Sequence, residues 1–284
     1  MSRFYFTKMN GAGNDFILFE EKINPDMHLT PQIIKNICNR RSGIGADGVL
    51  ILSDLNDYAF KMDYFNADGS KGSLCGNGAR CSILYGKESG RYDDEKIRFL
   101  TNGNEYFGQV LNNSLIKFDL QPPSELKLNF KIEAAKQLIN VSYINTGSPH
   151  VIINIKDVLK DPENPDSLYD NLEQFPVFEI GNEIRYHKDF APAGTNVNFI
   201  DVRTDVIKIR TFERGVEDET MACGTGSAAA AIIAVVNGIM KQPVRLLVKS
   251  GAELVVDFKI ENQFVRNVSL LGPAAVTFKG ELII

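Results

Sequence analysis

Short stretches of alternating hydrophobic and polar residues dominate the first part of the chain and predict strands separated by turns. The predicted strands are Phe4–Met9, Phe16–Glu20, Val49–Leu52, Ala59–Asn66, Ile97–Leu100, Glu105–Leu111 and Leu115–Leu120. A helix is predicted from Thr30 to about Arg40, because Thr30 can cap it and Pro31 suits its first position. A second helix is predicted over Ala79–Lys87, and a Gly-rich turn over Gly11–Asp15. This part of the chain is therefore strand-rich, with two helices.

The same order of elements returns after Gln121–Ser124, whose two prolines break both helix and strand and indicate a linker. An acidic helical region is predicted over Asp157–Asn171 and a further helix over Gly226–Met240. The predicted strands are Leu138–Ile144, His150–Ile155, Val197–Asp201, Val206–Thr211, Val244–Lys249, Glu253–Ile260, Val265–Leu270 and Ala275–Leu282. The two halves share this order more than they share sequence, so duplication is inferred from the pattern.

The segment Gly226–Met240 is apolar on nearly every face, and a helix without a polar face must be buried all round. Among many short strands, such a helix fits best inside a curved sheet or barrel. Ala79–Lys87 is its more polar counterpart in the first half. The pattern thus favours an α+β fold in which each half is a curved sheet or barrel around one central helix.

Composition narrows the function classes. The 284 residues are 44% hydrophobic and 24% charged, as expected of a globular protein, and the net charge of −5 argues against nucleic acid as a partner. The longest apolar stretch, near Ala228–Val236, is too short to span a bilayer, and the N-terminus shows no signal pattern. We therefore expect a cytoplasmic protein without a membrane partner.

Four cysteines are too few to form a disulfide scaffold in a chain of this length. Cys75 and Cys81 have a spacing that is unusual for zinc, and the three histidines are scattered along the sequence. No metal site is predicted. Cys38 and Cys81 lie within predicted helices, where we expect them to act as packing residues.

The other two cysteines lie in similar sequence blocks, FNADGSKGSLCGNGARC and ERGVEDETMACGTGSAAAA. In each block the cysteine, Cys75 or Cys223, stands where a loop turns into a helix. The helix dipole and the free N–H groups of a helix start favour a thiolate, so both thiols are expected to have a lowered pKa. The glycines that follow allow backbone N–H groups to approach a bound anion.

Two such cysteines suggest an acid/base pair that acts on opposite faces of one carbon. The α-hydrogen of an amino acid is a very weak acid, and its removal needs helix-end dipoles at the carboxylate and a thiolate base in a dry pocket. Inversion needs a second, protonated group on the other face, and the two thiols can exchange these roles. The sequence therefore predicts a racemase or epimerase.

The chain resembles the diaminopimelate epimerase family along its whole length. The motifs that carry the resemblance are KMNGAGNDF (Lys8–Phe16), RRSGIGADG (Arg40–Gly48), FNADGS (Phe65–Ser70), CGNGARC (Cys75–Cys81), GSPHV (Gly147–Val151), TNVNF (Thr195–Phe199) and ERGVEDETMACGTG (Glu213–Gly226). These enzymes interconvert LL- and meso-diaminopimelate without a cofactor, in the synthesis of lysine and peptidoglycan precursors. The resemblance implies that Cys75 and Cys223 are the acid/base pair and that no pyridoxal phosphate, metal or nucleotide is needed.

The resemblance also implies a set of substrate-binding residues: Asn14, Asn66, Gly76, Asn77, His150, Asn196, Glu213, Arg214, Gly224 and Thr225. In this set Glu213 would meet an ammonium group and Arg214 the distal carboxylate, for which a guanidinium group is well suited. For two residues of this set, the sequence alone also allows a purely structural role. His150 could be a structural histidine after a proline, and Asn14 could be a turn residue.

The resemblance implies two pseudo-symmetric domains, each a curved mixed sheet around a central helix, with the active site in the cleft between them. As in the family, the last strand is expected to return to the first domain, which gives domains of 1–122 with 273–284 and 123–272. Members often form homodimers, and that expectation extends to this chain.

Three departures from the common pattern concern fine specificity. Ser148 stands where many members have asparagine, Gly48 stands where some have a substrate-facing glutamine, and 216–220 carries one extra residue with added negative charge.

Two alternatives to this reading stay open. One is another cofactor-independent amino-acid racemase, similar to proline racemase, that acts on a smaller or cyclic substrate. The other is a thiol redox or ligand-binding protein without catalytic activity.

Overall fold

The chain divides into two compact units. The computed structural model describes residues 2–112 and 114–283. One unit comprises Met1–Asp119 with Leu271–Ile284, and we call it the Cys75 unit. The other comprises Leu120–Leu270, and we call it the Cys223 unit.

The Cys75 unit is built from a mixed sheet and two helices. Its elements are β1 (Arg3–Gly11), β2 (Asn14–Glu20), α1 (Pro31–Cys38), β3 (Gly48–Ser53), β4 (Lys61–Asn66), α2 (Gly76–Glu88), β5 (Lys96–Thr101), β6 (Asn104–Val110) and β7 (Leu115–Asp119). The pairs β1–β2, β3–β4, β5–β6 and β6–β7 are antiparallel, whereas β2–β3 and β4–β5 are parallel. The two parallel pairs are connected through the helices α1 and α2.

The Cys223 unit repeats this plan. Its elements are β8 (Ser124–Ala134), β9 (Gln137–Asn145), β10 (Pro149–Asn154), α3 (Val177–Arg185), β11 (Asn196–Val202), β12 (Ile207–Glu213), β13 (Asp218–Thr220), α4 (Gly224–Val236), β14 (Val244–Leu247), β15 (Glu253–Glu261) and β16 (Phe264–Pro273). The pairs β9–β10, β11–β12 and β14–β15 are antiparallel, and β10–β11 and β12–β14 are parallel. Both units therefore contain the order strand, strand, helix, strand, strand, helix, strand, strand, and the Cys223 unit adds the short strand β13 before α4.

The last strand, β17 (Ala275–Ile283), belongs to the Cys75 unit and pairs antiparallel with β1. Its register runs from the pair of Arg3 with Ile283 to the pair of Asn10 with Ala275. The strand thus returns to the first strand of the chain.

Each unit has a helix inside its curved sheet. α2 packs against β1 and β17 at one end of the sheet and against β6 and β7 at the other, so the sheet wraps around it. α4 likewise packs against β9, β10, β14 and β15, and its residues Gly224–Ala234 are buried. The predicted fold class, α+β with a curved mixed sheet around a central helix in each half, is confirmed. The apolar helix ends at Val236 rather than Met240, and its last turn is partly exposed.

The other two helices cover the outside of the sheets. The hydroxyl oxygen of Thr30 accepts the N–H of Ile33 at 3.3 Å, and Pro31 occupies the first turn, as predicted for the start of α1. α1 packs on β3, and α3 packs on β11 and β12. The buried faces of α1 and α3 each complete a second hydrophobic core in their unit.

The prediction of an acidic helix over Asp157–Asn171 is wrong. Beyond a short 3₁₀ turn the segment is irregular, because aspartate and asparagine side chains accept backbone N–H groups two residues on. Asp161 accepts the N–H of Glu163 at 3.1 Å, and Asn164 accepts that of Asp166 at 3.0 Å. Two prolines interrupt the segment further. The helix of this region is α3, which the sequence reading missed.

Two other predictions need correction. β8 begins at Ser124, the last residue of the predicted linker, although no strand was predicted there. The turn predicted over Gly11–Asp15 contains only Ala12 and Gly13, whose φ values of 58° and 102° give a tight hairpin. Asn14 is consequently the first residue of β2 and not a turn residue.

Candidate active site

Cys75 caps the N-terminus of α2. Its backbone is extended, with φ −107° and ψ 105°, and its Sγ atom accepts the N–H of Gly78 at 3.4 Å. The thiol is half-buried, and Gly76 and Asn77 form the first turn behind it. The sulfur therefore lies at the positive end of the helix dipole, as the sequence predicted for a helix start.

A fully buried arginine supports this helix start, and sequence reasoning did not single it out. Arg80 donates from Nη2 to Oδ1 of Asn77 at 2.7 Å and from Nη1 to the carbonyl of Gly76 at 3.3 Å. Burial lowers the pKa of Arg80 to about 10. Asn77 is itself 2% exposed, and its side chain fixes the turn together with Arg80.

The other candidates of this unit lie at one edge of its sheet. Asn14 begins β2 and Asn66 ends β4, while Gly48, at the start of β3, pairs with both Phe16 and Asn66. Asn66 also donates from Nδ2 to the hydroxyl of Ser70 at 3.0 Å. The sheet thus brings both asparagines to the same edge.

Two close approaches fix this edge. A Cβ atom on Gly11 would lie 2.8 Å from the carbonyl oxygen of Asn77, so the β1–β2 hairpin packs against the start of α2. A Cβ atom on Gly48 would lie 2.4 Å from the carbonyl oxygen of Phe65, so this backbone has no room for a larger residue there. Gly48 is therefore a packing requirement of the sheet.

A partly buried ion-pair cluster lies next to Asn14. The neighbouring Asp15 pairs with Lys8 at 2.7 Å and with Arg40 at 2.7 Å, and Arg40 also reaches Asp47 at 2.6 Å. The side chain of Lys8 is only 7% exposed and donates a second hydrogen bond to the carbonyl of Gly45. This cluster joins β1, β2 and the loop before β3.

Cys223 caps α4 in the same way as Cys75 caps α2. Its φ and ψ are −118° and 110°, and its Sγ atom accepts the N–H of Gly226 at 3.4 Å. The residue is 7% exposed, and the hydroxyl of Thr225 lies 3.5 Å from the sulfur. Gly224 and Thr225 provide the N–H groups of the first turn.

His150 is buried beside this helix start. Its Nε2 atom lies 2.9 Å from the hydroxyl oxygen of Thr225 and 3.0 Å from that of Ser148, and its Nδ1 atom lies 3.1 Å from Nδ2 of Asn198. Burial, reinforced by the positive charge of Arg214, lowers the pKa of His150 to about 3. The imidazole is therefore neutral at ordinary pH, and its contact with Thr225 links it to the candidate site.

The remaining candidates of the Cys223 unit surround the start of β11 and the end of β12. Asn196 donates from Nδ2 to the carbonyl of Pro149 at 2.7 Å and accepts the N–H of Arg214 at 2.9 Å. Glu213 ends β12 and accepts the hydroxyl of Thr220 at 2.8 Å. These bonds hold the backbone at Glu213 and Arg214 beside Asn196, and both side chains are partly exposed.

Two of the acidic residues after Arg214 form ion pairs with cationic side chains. Glu217 has a φ of 58° and binds Arg185 at 2.9 Å, and Glu219 binds Lys249 at 2.9 Å and Arg210. The negative charge that the sequence adds here is therefore largely balanced by these cations.

The two remaining cysteines are buried. Cys38 is 4% exposed and Cys81 is fully buried, and burial raises the pKa of Cys38 to about 11 and that of Cys81 still further. Both thiols are protonated at ordinary pH, which is consistent with a packing role. Across residues 2–112 and 114–283, no cluster of three or more histidine, cysteine, aspartate or glutamate side chains is arranged to hold a metal ion.

Comparison with solved structures defines the class of fold. A phenazine biosynthesis protein of the PhzF family from Bacillus anthracis matches with a TM-score of 0.71 at 15% identity, over 100% of both chains. A probable proline racemase from Agrobacterium radiobacter K84 matches with a TM-score of 0.74 at 12% identity, over 99% of this chain and 93% of the other. At this level of identity the likeness concerns the fold alone.

Comparison by sequence defines the family. The family model described as diaminopimelate epimerase matches residues 6–124 and 142–276. The chain is 37% identical to the diaminopimelate epimerase of Chlorobaculum tepidum, over 96% of this chain and 99% of the relative. It is 36% identical to that of Aquifex aeolicus, over 98% and 97%. The chain belongs to the diaminopimelate epimerase family, whose members are isomerases that work without a cofactor.

The helices of the described residues are all too short or too polar to cross a membrane.

Proposed function

We propose that this chain interconverts LL- and meso-diaminopimelate by inverting one α-carbon, with Cys75 and Cys223 as the acid/base pair. The observation that carries the proposal is the repeated cysteine geometry. Each thiol caps the central helix of its unit, and each accepts the N–H three residues on at 3.4 Å. The names of the relatives supply the substrate.

The proposed reaction is a pair of proton transfers. One cysteine, as thiolate, removes the α-hydrogen as a proton, and the electron pair of the C–H bond stays on the α-carbon, delocalised into its carboxylate. The other cysteine, as thiol, gives its proton to the opposite face of the carbon. The first thiol and second thiolate that result are ready for the reverse reaction, so the roles exchange between the two isomers.

The two helix starts would bind the carboxylate of the reacting centre. The first turns of α2 and α4 direct the N–H groups of Gly76, Asn77, Gly224 and Thr225 to the region before each cysteine. Such donors stabilise the negative charge that develops on the carboxylate as the proton leaves. In this proposal, backbone N–H groups of the chain itself therefore stabilise the charge that develops on the carboxylate.

The polar side chains would select a substrate with two amino-acid ends. Arg214 offers a guanidinium for the distal carboxylate and Glu213 a carboxylate for an ammonium group. Asn14, Asn66 and Asn196 would add hydrogen bonds, and His150 would hold the hydroxyls of Ser148 and Thr225 in place. The positions of Asn14 and Asn66 at one sheet edge, and of Asn196 and Glu213 at another, support this assignment.

Location and assembly are part of the proposal. A cytoplasmic enzyme is proposed because the relatives carry the name of a biosynthetic enzyme. A homodimer is proposed from the family resemblance, and light scattering coupled to size-exclusion chromatography measures it directly.

The test is incubation of the reduced protein with LL-diaminopimelate in deuterated water. We expect meso-diaminopimelate with deuterium at the α-carbon, and a loss of about 10²–10⁴ in rate for Cys75→Ala and for Cys223→Ala. Cys38→Ala serves as the matched control and should keep its activity, because that thiol is buried and protonated.

Three other outcomes contradict parts of the proposal. Exchange with a different amino acid only would make the substrate wrong and leave the two-cysteine chemistry in place. Full activity in either alanine variant would remove that cysteine from the mechanism. Absence of exchange with every amino acid tested would favour the thiol-binding alternative.

A further inference from the structure

The amide of Asn198 has a fixed orientation inside the Cys223 unit. Asn198 lies on β11 and is fully buried. Its Nδ2 atom is 2.9 Å from the carbonyl oxygen of Val151, and its Oδ1 atom accepts the hydroxyl of Thr211 at 2.9 Å. A carbonyl oxygen can only accept a hydrogen bond, so the atom facing Val151 must be the NH₂ group.

This orientation determines which nitrogen of His150 carries the proton. The second hydrogen of the Asn198 NH₂ group points to Nδ1 of His150, at 3.1 Å. In a neutral imidazole one nitrogen accepts and the other donates, so Nδ1 accepts and the proton lies on Nε2. The buried amide thereby selects one tautomer.

The tautomer in turn orients two hydroxyl groups. The Nε2–H group faces the oxygens of Thr225, at 2.9 Å, and Ser148, at 3.0 Å, and both oxygens therefore accept. A hydroxyl that accepts from the imidazole keeps its own proton for another partner. For Thr225 the nearby partner is the sulfur of Cys223, at 3.5 Å.

We propose that Asn198 is a positioning residue that sets the tautomer of His150 and so makes the Thr225 hydroxyl a hydrogen-bond donor to the Cys223 thiolate. This inference rests on the proposed function, because it assumes that Cys223 works as a thiolate in one direction of the reaction. The opposite tautomer would accept at Nε2. Thr225 would then donate to the imidazole and turn lone pairs toward the sulfur, which would disfavour its negative charge.

We call the hydrogen bonds that run from Asn198 through His150 and Thr225 to Cys223 the relay. The charged groups next to this relay come from the end of β12. Arg214 acts electrostatically on His150, and Glu213 precedes it in the chain. Cys223 additionally accepts the N–H of Gly226 at the start of α4. The variants below leave these groups unchanged, so a difference among variants reports on the relay.

The first measurement is the tautomer itself, by ¹⁵N–¹H correlation NMR of the histidine-labelled protein near pH 7. We expect a protonated Nε2 and an unprotonated Nδ1 for His150 in the wild type. In Asn198→Asp an oxygen replaces the donor beside Nδ1, so we expect Nδ1 to carry a proton. Thr211→Val is the matched control: it removes the bond to Oδ1 while Nδ2 stays on Val151, and the wild-type tautomer should persist.

The second measurement is the alkylation rate of Cys223 with iodoacetamide as a function of pH, read from its peptide by mass spectrometry. Loss of a hydrogen bond to a thiolate should slow the reaction near pH 7 about tenfold and move the profile to higher pH. We expect this in Thr225→Val and in any folded Asn198 variant with the changed tautomer, whereas Thr211→Val should stay within about twofold of the wild type.

The outcomes separate this inference from the proposed function, since both readouts are made without substrate. A wild-type His150 protonated at Nδ1 would overturn it, even in an active epimerase. An unchanged alkylation profile in Thr225→Val would also overturn it. If Asn198→Asp does not fold, the wild-type spectrum and the Thr225→Val profile still decide.

Discussion

The two units place their cysteines alike and surround them differently. Register aligns the two edges: Phe16 pairs with Gly48 across β2 and β3, as His150 pairs with Asn196 across β10 and β11. Phe16 of the Cys75 unit is therefore the counterpart of His150. Where one unit has a buried phenylalanine, which is 1% exposed and packs edge-on against Tyr64, the other has a hydrogen-bonded imidazole.

The same alignment pairs the other candidates. Asn14 corresponds to Ser148, two residues before each aligned pair. Asn66 corresponds to Glu213, because Gly48 pairs with Asn66 and the residue after Phe212 stands opposite Asn196. The comparison teaches that the two units share the backbone geometry of a cysteine at a helix start, whereas the side chains around that cysteine differ.

The largest effect is expected where the Cys75 unit depends on a buried charge. Asp15→Asn would leave the ammonium of Lys8, 7% exposed, without its carboxylate partner. Breaking such a pair costs about 3–5 kcal/mol, and we expect that loss in the free energy of unfolding measured in urea. The variant for comparison in the Cys223 unit is Glu219→Gln, which should lose less because its partners Arg210 and Lys249 are both more exposed than Lys8. Equal losses in the two variants would contradict this contrast.

Substitution of the glycine three residues after each cysteine should lower the free energy of unfolding to different extents in the two units. A Cβ atom on Gly226 would lie 2.2 Å from Oδ1 of Asn198, whereas one on Gly78 would lie 2.9 Å from the end of the Leu50 side chain. Gly226→Ala should therefore lower the free energy of unfolding by about 3 kcal/mol, and Gly78→Ala by at most about 1 kcal/mol, since leucine can adjust. Thermal and urea unfolding of both variants measure the difference. A larger loss in Gly78→Ala would show that the packing at α2 is the tighter one.

Low pH should destabilise the Cys223 unit through His150. Its pKa is lowered to about 3 by burial, from an unfolded value of 6.5, so only the unfolded state takes up this proton between those values. The stability contributed by the neutral imidazole is present above pH 6.5 and falls by at most about 1.4 kcal/mol per pH unit as the pH drops toward 3. His150→Gln should remove this part of the slope in unfolding experiments from pH 7 to pH 4. An unchanged slope would mean that other groups account for the acid sensitivity.

High pH should destabilise the Cys75 unit through Cys38, with a smaller effect. Burial raises the pKa of this thiol from 9 to about 11, so the unfolded state loses its proton first. Stability is then lost as the pH rises from 9 to 11, by at most about 1.4 kcal/mol per pH unit, and Cys38→Ala should lack this loss. Unfolding curves at pH 8, 9 and 10 measure it, and Cys81→Ala offers a comparison with a thiol that stays protonated further into alkali.

Most strands and both cysteine settings could be predicted, because their signals are local. A period of two marks a half-buried strand, and Cys-Gly-x-Gly before small residues marks a helix start. The helix α3 was missed, since its hydrophobic face of Val177, Ile180 and Ile184 follows an irregular stretch that looks helical by composition. Side-chain hydrogen bonds to the backbone, together with two prolines, prevent a helix at Asp157–Asn171.

The partners inside the site could not be predicted from sequence. Asn198 and Arg80 acquire their roles only when β11 meets β10 and when α2 enters its sheet. Nothing in their sequence neighbourhood distinguishes a buried amide that orients an imidazole from one that binds substrate. Strand register settles the matter, because it places Asn198 opposite Thr211 and beside Val151.

The return of β17 to β1 has a consequence for synthesis on the ribosome. The Cys223 unit is one continuous stretch, Leu120–Leu270, and its chain is complete before β17 has been made. The Cys75 unit is discontinuous, and β1 keeps an open edge until Ala275–Ile283 emerges. An open edge is a template for pairing with other chains, so the nascent unit depends on its last strand for protection. β1 is thus translated first but is among the last strands to have both of its edges paired.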